Sequence, residues 1–280
     1  MKQLFPVLFL LPLFATAQST RATDDFNFAL YLLGSGLKEE AATLMCHRDM
    51  DSDSMRFIKG YVLYSNRQLD SATYWLQQID SHSPLFAEGR LFGAISATHL
   101  GEYRLANNLL QSLRDNPDPS VRNLVTFEEA GIALLERDLS RFDSCSALIQ
   151  ADDYRIADET EALRNIRTTL PLRQKSPMLA AGLSTVVPGL GKVYAGRVGE
   201  GVSAFLIVGS LMAATAENAY KEGWANWKTI LFGSLSAVFH LGNIYGSAVS
   251  VRVDMDNRNK QTDVQILYHI HIPLRNSYRR

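Results

Sequence analysis

Pro188-Gly189-Leu190-Gly191-Lys192-Val193-Tyr194-Ala195-Gly196-Arg197 interrupts an apolar stretch that runs from 178 to 251. The three glycines stand where the backbone must bend or where another segment must come near it. Lys192 and Arg197 hold the turn at a polar surface, and Tyr194 fits a membrane–water boundary. The spacing excludes a phosphate loop, which needs Gly-x-x-x-x-Gly-Lys followed by Ser or Thr. Here Lys192 is followed by Val193.

The turn divides apolar pieces of different length. Residues 178–190 are short and end at Pro-Gly, 201–216 carry no charge, and 229–251 lie uncharged between Lys228 and Arg252. About 20 apolar residues cross a bilayer. The last piece therefore spans alone, and the middle one spans with Tyr220 in the interface. The first is a half-helix, a surface helix or a tilted third span. Tyr220, Trp224 and Trp227 place the loop between the longer pieces at a headgroup layer. His240 and Asn243 are the polar side chains inside the last piece. Polar groups at such depth are costly and often functional, and the expectation is that they hydrogen-bond to a neighbouring helix. Gly242-x-x-x-Gly246 allows two helices to meet closely.

The rest of the chain is written for water. At the N-terminus, Lys2, an apolar core over 4–14 and Ala15-Thr16-Ala17 form a cleavable export signal, residues 1–17. Its apolar core is shorter than the roughly 20 residues of a span. The chain carries 28 Lys and Arg against 29 Asp and Glu, a net charge of -1, so bulk electrostatics give no reason to expect nucleic-acid binding. Residues 24–165 show apolar side chains at helical spacing, as in Phe26, Leu30, Leu33 and Leu37. Prolines fall only between candidate helices, at Pro84, Pro117 and Pro119. Ser54 or Asp53 is the expected N-cap of a helix near Met55.

The middle region also repeats itself. Leu69-Asp70-Ser71-Ala72 and Tyr103-Arg104-Leu105-Ala106 are 34 residues apart, Lys38-Glu39-Glu40-Ala41 precedes them by 31, and Phe142-Asp143-Ser144-Cys145 follows by 39. A small residue at a helix crossing lets the backbones approach while a bulky neighbour fills the gap. Cys46 and Cys145 stand about three such units apart, too far for a disulfide with its ~7 Å limit between Cα atoms. Two buried free thiols are expected.

On these residues the chain, over about 24–150, resembles the tetratricopeptide family of 34-residue helix-turn-helix units. Gly60 and Pro84 stand twelve residues either side of Ala72, as that pattern asks, while Ala94 replaces the glycine in the next unit. The helix-A tryptophan is missing. The resemblance implies stacked hairpins with a concave face that holds a protein segment. Tyr61, Tyr64 and Phe92 are the candidate partner groove.

A second resemblance covers about 176–255. Ser184, Pro188, Gly189, Gly191, Lys192, Tyr194 and Gly196 look like the turn of bacterial two-transmembrane glycine–tyrosine domains. It implies an exported protein of the Gram-negative cell envelope, with the helical region in the periplasm and the inner membrane favoured. It implies no chemistry.

After 252 the chain is basic, and Val264, Ile266, Tyr268, Ile270 and Ile272 alternate with more polar residues, which predicts a short strand with His269 and His271 on one face. The expected architecture is all-α: a tetratricopeptide-like α-solenoid at 18–165, a linker at 166–177, a membrane domain of two or three helices at 178–251, and a strand-like tail at 252–280. No nucleophile–base pair, metal set or cofactor motif is evident. The expected function is a membrane-anchored, exported, non-enzymatic scaffold that binds a protein or peptide through its repeats. The partners are that segment and the lipid bilayer, with helix association through Gly242 and Gly246. The alternative is a component of a transport or membrane-protein insertion system.

Overall fold

The computed structural model describes residues 11–150, 153–170 and 175–277, with side chains from 23 to 274. The export signal expected at 1–17 falls largely outside the described residues. Among these residues the chain is all-helical: thirteen helices and no strand. It divides into two compact units, Met1–Asn165 with Ile266–Arg280, and Ile166–Gln265.

The first unit is a succession of helix pairs: α1 (Leu11–Gly34) and α2 (Lys38–Cys46), α3 (Asp53–Ser65) and α4 (Leu69–Leu76), α5 (Phe86–Leu100) and α6 (Tyr103–Gln111), α7 (Pro119–Leu135) and α8 (Leu139–Leu148), then α9 (Ala157–Thr169). Each pair turns in the same way. Gly36, Arg67, Gly101 and Arg137 take positive φ, at 81°, 63°, 79° and 61°. The next amide in each turn, at Leu37, Gln68, Glu102 and Asp138, donates to the carbonyl five residues back, at 2.9 Å in every case. This bond closes a helix C-terminus over a left-handed residue and satisfies an orphan carbonyl. Glycine takes that conformation freely, whereas Arg67 and Arg137 carry strain that the repeated geometry imposes.

The interior repeats with the turns. Phe57, Phe92 and Phe127 are all buried on α3, α5 and α7, and Leu76 and Leu110 are buried on α4 and α6. Ala41, Ala72 and Ala106 are fully buried at the fourth position of α2, α4 and α6. Gly60 shows why small residues are needed: a Cβ there meets Leu76 Cγ at 2.5 Å. The fourth pair departs from the expected register. Its fourth position is Phe142, which is buried, so the unit begins three residues earlier than the Phe142–Cys145 match implies. Both cysteines are free, but Cys46 is exposed and Cys145 half-buried. The cap of α3 is Ser52, whose Oγ accepts from the Met55 amide at 3.3 Å, rather than Ser54 or Asp53.

The second unit contains α10 (Pro177–Val186), α11 (Leu190–Ala195), α12 (Val198–Glu222) and the larger part of α13 (Trp227–Ser277). Proline begins α10 where its missing N–H costs nothing, and Ser176 Oγ caps the Leu179 amide at 3.3 Å. Among the described residues, α12 is the one helix long and apolar enough to cross a membrane. Residues 229–251, expected to span alone, form the start of α13 and are not singled out on that measure. Four serines, His240 and Asn243 dilute their apolar character.

The expected strand over 264–272 is helix, within α13. The residues grouped by alternation split between two helix faces. Ile266, Ile270 and Leu274, at i, i+4 and i+8, are buried, while Val264 and Tyr268 are 66% and 62% exposed. Residues from Ile266 onward belong to the first unit.

Candidate functional site

Two sites stand out, one in each unit. In the first unit, α3, α5, α7 and α9 receive the end of α13. Tyr61 and Tyr64 sit one turn apart on α3, and Phe92 on α5 meets both rings edge-on, at 5.0 and 5.3 Å between centroids. The three candidate groove residues are therefore brought together, with Phe92 as a buried floor and the two tyrosines half-buried. Aromatic pairs at such distances and angles add specificity beyond their burial.

The groove is covered by the chain's own tail. Tyr64 Oη hydrogen-bonds to His271 Nδ1, and their rings lie 5.8 Å apart. His99 on α5 approaches the His271 ring edge-on at 6.4 Å. Ile270 packs on Gly131 of α7 so closely that a Cβ at that glycine has no room. His269 Nδ1 meets Glu159 Oε2 of α9 at 2.5 Å. The pairing of His269 and His271 on one strand face, read from alternation, is replaced by separate partners on separate helices. Burial of Ile266, Ile270 and Leu274 contributes about 1.5–3 kcal/mol for each side chain.

The electrostatics of this face follow from its dryness. Burial pushes the His99 pKa down to about 4, helped by the positive charge of His271 and Arg67. Glu128, on α7 three residues before Gly131, is buried with Oε1 unpartnered, and burial raises its pKa well above the ordinary carboxylate value. Gly131 and Glu159 carry no signal in the sequence, and the alternation of the tail residues points to a strand rather than to this helix face. The i, i+4, i+8 spacing of Ile266, Ile270 and Leu274 was the available signal.

The second site is built on the Pro188 turn. Gly189 and Gly196 bracket α11 with φ of 86° and 96°. Any Cβ at Gly189 would run into the Gly201 carbonyl, and a Cβ at Gly191 would run into that of Ala180. Ser184, fully buried, accepts from the Gly191 amide at 2.9 Å. Its hydroxyl bonds to Ser247 Oγ at 2.7 Å, and Ser247 donates to the Asn243 carbonyl at 2.8 Å. Tyr194 Oη accepts from the Ser176 amide at 3.2 Å, and Lys175 lies over its ring. The turn thus joins α10, α11 and α12 through backbone contact that only glycine permits, and the Ser184–Ser247 hydrogen bond ties α13 to it. Pro188 opens it.

Beside this knuckle lies a cavity of about 600 Å³, lined by Lys192, Glu200, Ser203 and Asn243 with apolar residues of α12 and α13. Asn243 is 6% exposed, and neither its amide nitrogen nor its amide oxygen has a hydrogen-bond partner. His240 Nδ1 is likewise buried and unpartnered. The expected bonds from these side chains to a neighbouring helix are not made. Gly242 lines the cavity, and a Cβ at Gly246 would stand 3.8 Å from Lys192 Cε. Among the described residues, no group of three His, Cys, Asp or Glu side chains is placed to hold a metal ion.

Compared with protein-family models, curated proteins and solved structures, the chain gives no match.

Proposed function

We propose that the protein is a non-enzymatic scaffold of the bacterial cell envelope, with tetratricopeptide-like repeats that hold a helical segment and a second unit that anchors them. The observation that carries this reading is the seating of Ile270 on Gly131, beside the contact of His271 with Tyr64. A face that accepts the tail as an amphipathic helix has the shape for a partner helix with the same i, i+4, i+8 stripe. The tail then acts as the resident occupant with which a partner competes. The apolar helix α12 supports anchoring, and export with the inner membrane as its site would place the repeats in the periplasm.

A photo-crosslinker at Tyr61 tests the reading in intact envelopes. In the otherwise wild-type chain it reports the tail, and with Ile270→Asp it captures a partner in place of the tail. Failure of Ile270→Asp to change the crosslinking pattern would sink the competition between tail and partner.

A second reading, a component of a transport or membrane-protein insertion system, is favoured by the cavity at Asn243. Its test is solute flux in proteoliposomes: flux in the wild-type chain that Asn243→Leu abolishes supports it, and none in either counts against it.

A further inference from the structure

The pair formed by α10 and α11 has a polar base and an apolar tip. At the base, the Ser176 amide donates to Tyr194 Oη at 3.2 Å, so the start of α10 lies beside the end of α11. At the tip, Val186, Val187 and Leu190 are exposed. Residues 176–191 contain no Asp, Glu, Lys, Arg or His. The course of α10 is set by α13. Ala180 is buried in one cluster with Ala195 and Val251, and Ser184, one turn on, bonds to Ser247. The helix thus runs away from Arg252 and along the uncharged stretch 229–251. Gly189 comes to rest against Gly201, where the uncharged stretch of α12 begins.

The backbone of the tip is equipped for a medium without water. The amides of Val187, Leu190, Lys192 and Val193 donate to nearby carbonyls at 3.0–3.1 Å, and that of Gly191 donates to Ser184 Oγ. Pro188 has no amide hydrogen, and Gly189 is buried. Irregular backbone is tolerated in hydrocarbon only where protein buries it and satisfies its polar groups. A helix lying on a membrane surface keeps a polar face toward water. No such face exists on α10: Ser184 is buried, and Thr185 Oγ1 donates to the Ala181 carbonyl of its own helix at 3.0 Å. A crossing is also out of reach, since its ten residues measure about 15 Å against a hydrocarbon core of about 30 Å.

We propose that α10 and α11 form a re-entrant hairpin, which enters one leaflet of a bilayer, turns at Pro188–Gly189 among its acyl chains and returns to the surface it left. Charge reappears on the return, where Lys192 and Arg197 both pair with Glu200, at 3.7 and 3.2 Å. On α12, which Gly189 touches at Gly201, Val202, Phe205 and Leu206 are exposed to the same acyl chains.

This inference rests on the membrane reading of the second unit, and two measurements separate them. Genetically encoded nitroxide side chains replace Met178, Val186 or Val198 in the full chain, at positions 86%, 81% and 56% exposed. In phosphatidylethanolamine–phosphatidylglycerol vesicles, depth is read from relaxation by oxygen against a water-soluble nickel chelate. The expected profile is deepest at Val186, by up to about 12 Å relative to Met178, from the 1.5 Å rise of each helical residue. It is shallow again at Val198. Equal depth at all three sites means a surface helix and overturns the hairpin. A label at Val186 shielded from both oxygen and nickel means that protein, such as a second copy, covers the tip, and overturns lipid as its occupant. A separation near the ~30 Å of a hydrocarbon core between labels at Met178 and Val198 means a crossing and overturns the return. Carbonate extraction of cells reads anchoring by itself. A chain that stays with the membrane and gives a flat depth profile overturns the hairpin alone, whereas a chain that is released overturns the anchoring and the hairpin with it.

Discussion

Glu128, buried, and His99, half-buried, are titratable groups of the first unit, and their shifts pull stability in opposite directions with pH. A carboxyl whose folded pKa is raised holds its proton in the native state while the unfolded chain has lost it. Stability then falls as pH rises from the ordinary carboxyl value of 4.5 toward the raised folded value. Glu128→Gln removes that loss. Thermal melts should show a gain that is absent at pH 4 and grows toward pH 8, on a scale of about 2–4 °C for each kcal/mol. An identical gain at every pH would mean that packing, and not ionisation, is responsible. For His99 the folded pKa is depressed from 6.5 to about 4, so its contribution is complete above 6.5 and is lost progressively as pH falls toward 4. His99→Gln should flatten stability between those limits, and persistence of the full acid slope would assign it to other groups.

The last turns of α13 and the short helix α11 carry the sharpest contacts at the level of elements. The tail is held by an apolar stripe and by histidine contacts on α3, α5 and α9. Ile270→Asp places a carboxylate against Gly131, and hydrogen exchange over 266–277 should accelerate to the rate of a frayed helix, while that of α3 and α4 is retained. Protection unchanged by the substitution would refute the seating of the tail. Gly191→Val tests α11. The Cβ would meet the Ala180 carbonyl and Ser184 Oγ, which already accepts the Gly191 amide. Loss of a close backbone approach of this kind falls in the range of severe single substitutions, about 2–4 kcal/mol. A detergent melt of Gly191→Val that matches wild type would refute the close approach. In the sequence, Ser184 is marked only by the resemblance of the turn. Its role as acceptor for the turn and as link to Ser247 could not be read from spacing, because residues 63 apart in sequence complete it.

For the molecule as a whole, helicity was written in local pattern, since apolar spacing, caps and proline placement act within a few residues of one another. The helix pairs and their turns were equally accessible, because each turn is a local event with one left-handed residue. Arg67 and Arg137 mark where that local reading runs out: arginine does not favour positive φ, yet both adopt it. The alternation at 264–272 pointed to a strand because two apolar faces of a helix, Ile266 with Ile270 and Val264 with Tyr268, interleave every second residue. Burial alone distinguishes them.

By itself the sequence determined the helical character of the chain outside its tail, its small-residue helix crossings, the glycines of the Pro188 turn and an apolar helix in its last third. Each depends on backbone preference or on periodicity along one segment. Only the tertiary structure decided that Tyr61, Tyr64 and Phe92 are covered by the chain's own end, and that Asn243 stands unpartnered at a cavity. Both depend on which distant side chains arrive at a surface, and on whether a buried polar atom finds its match there, which no local pattern encodes.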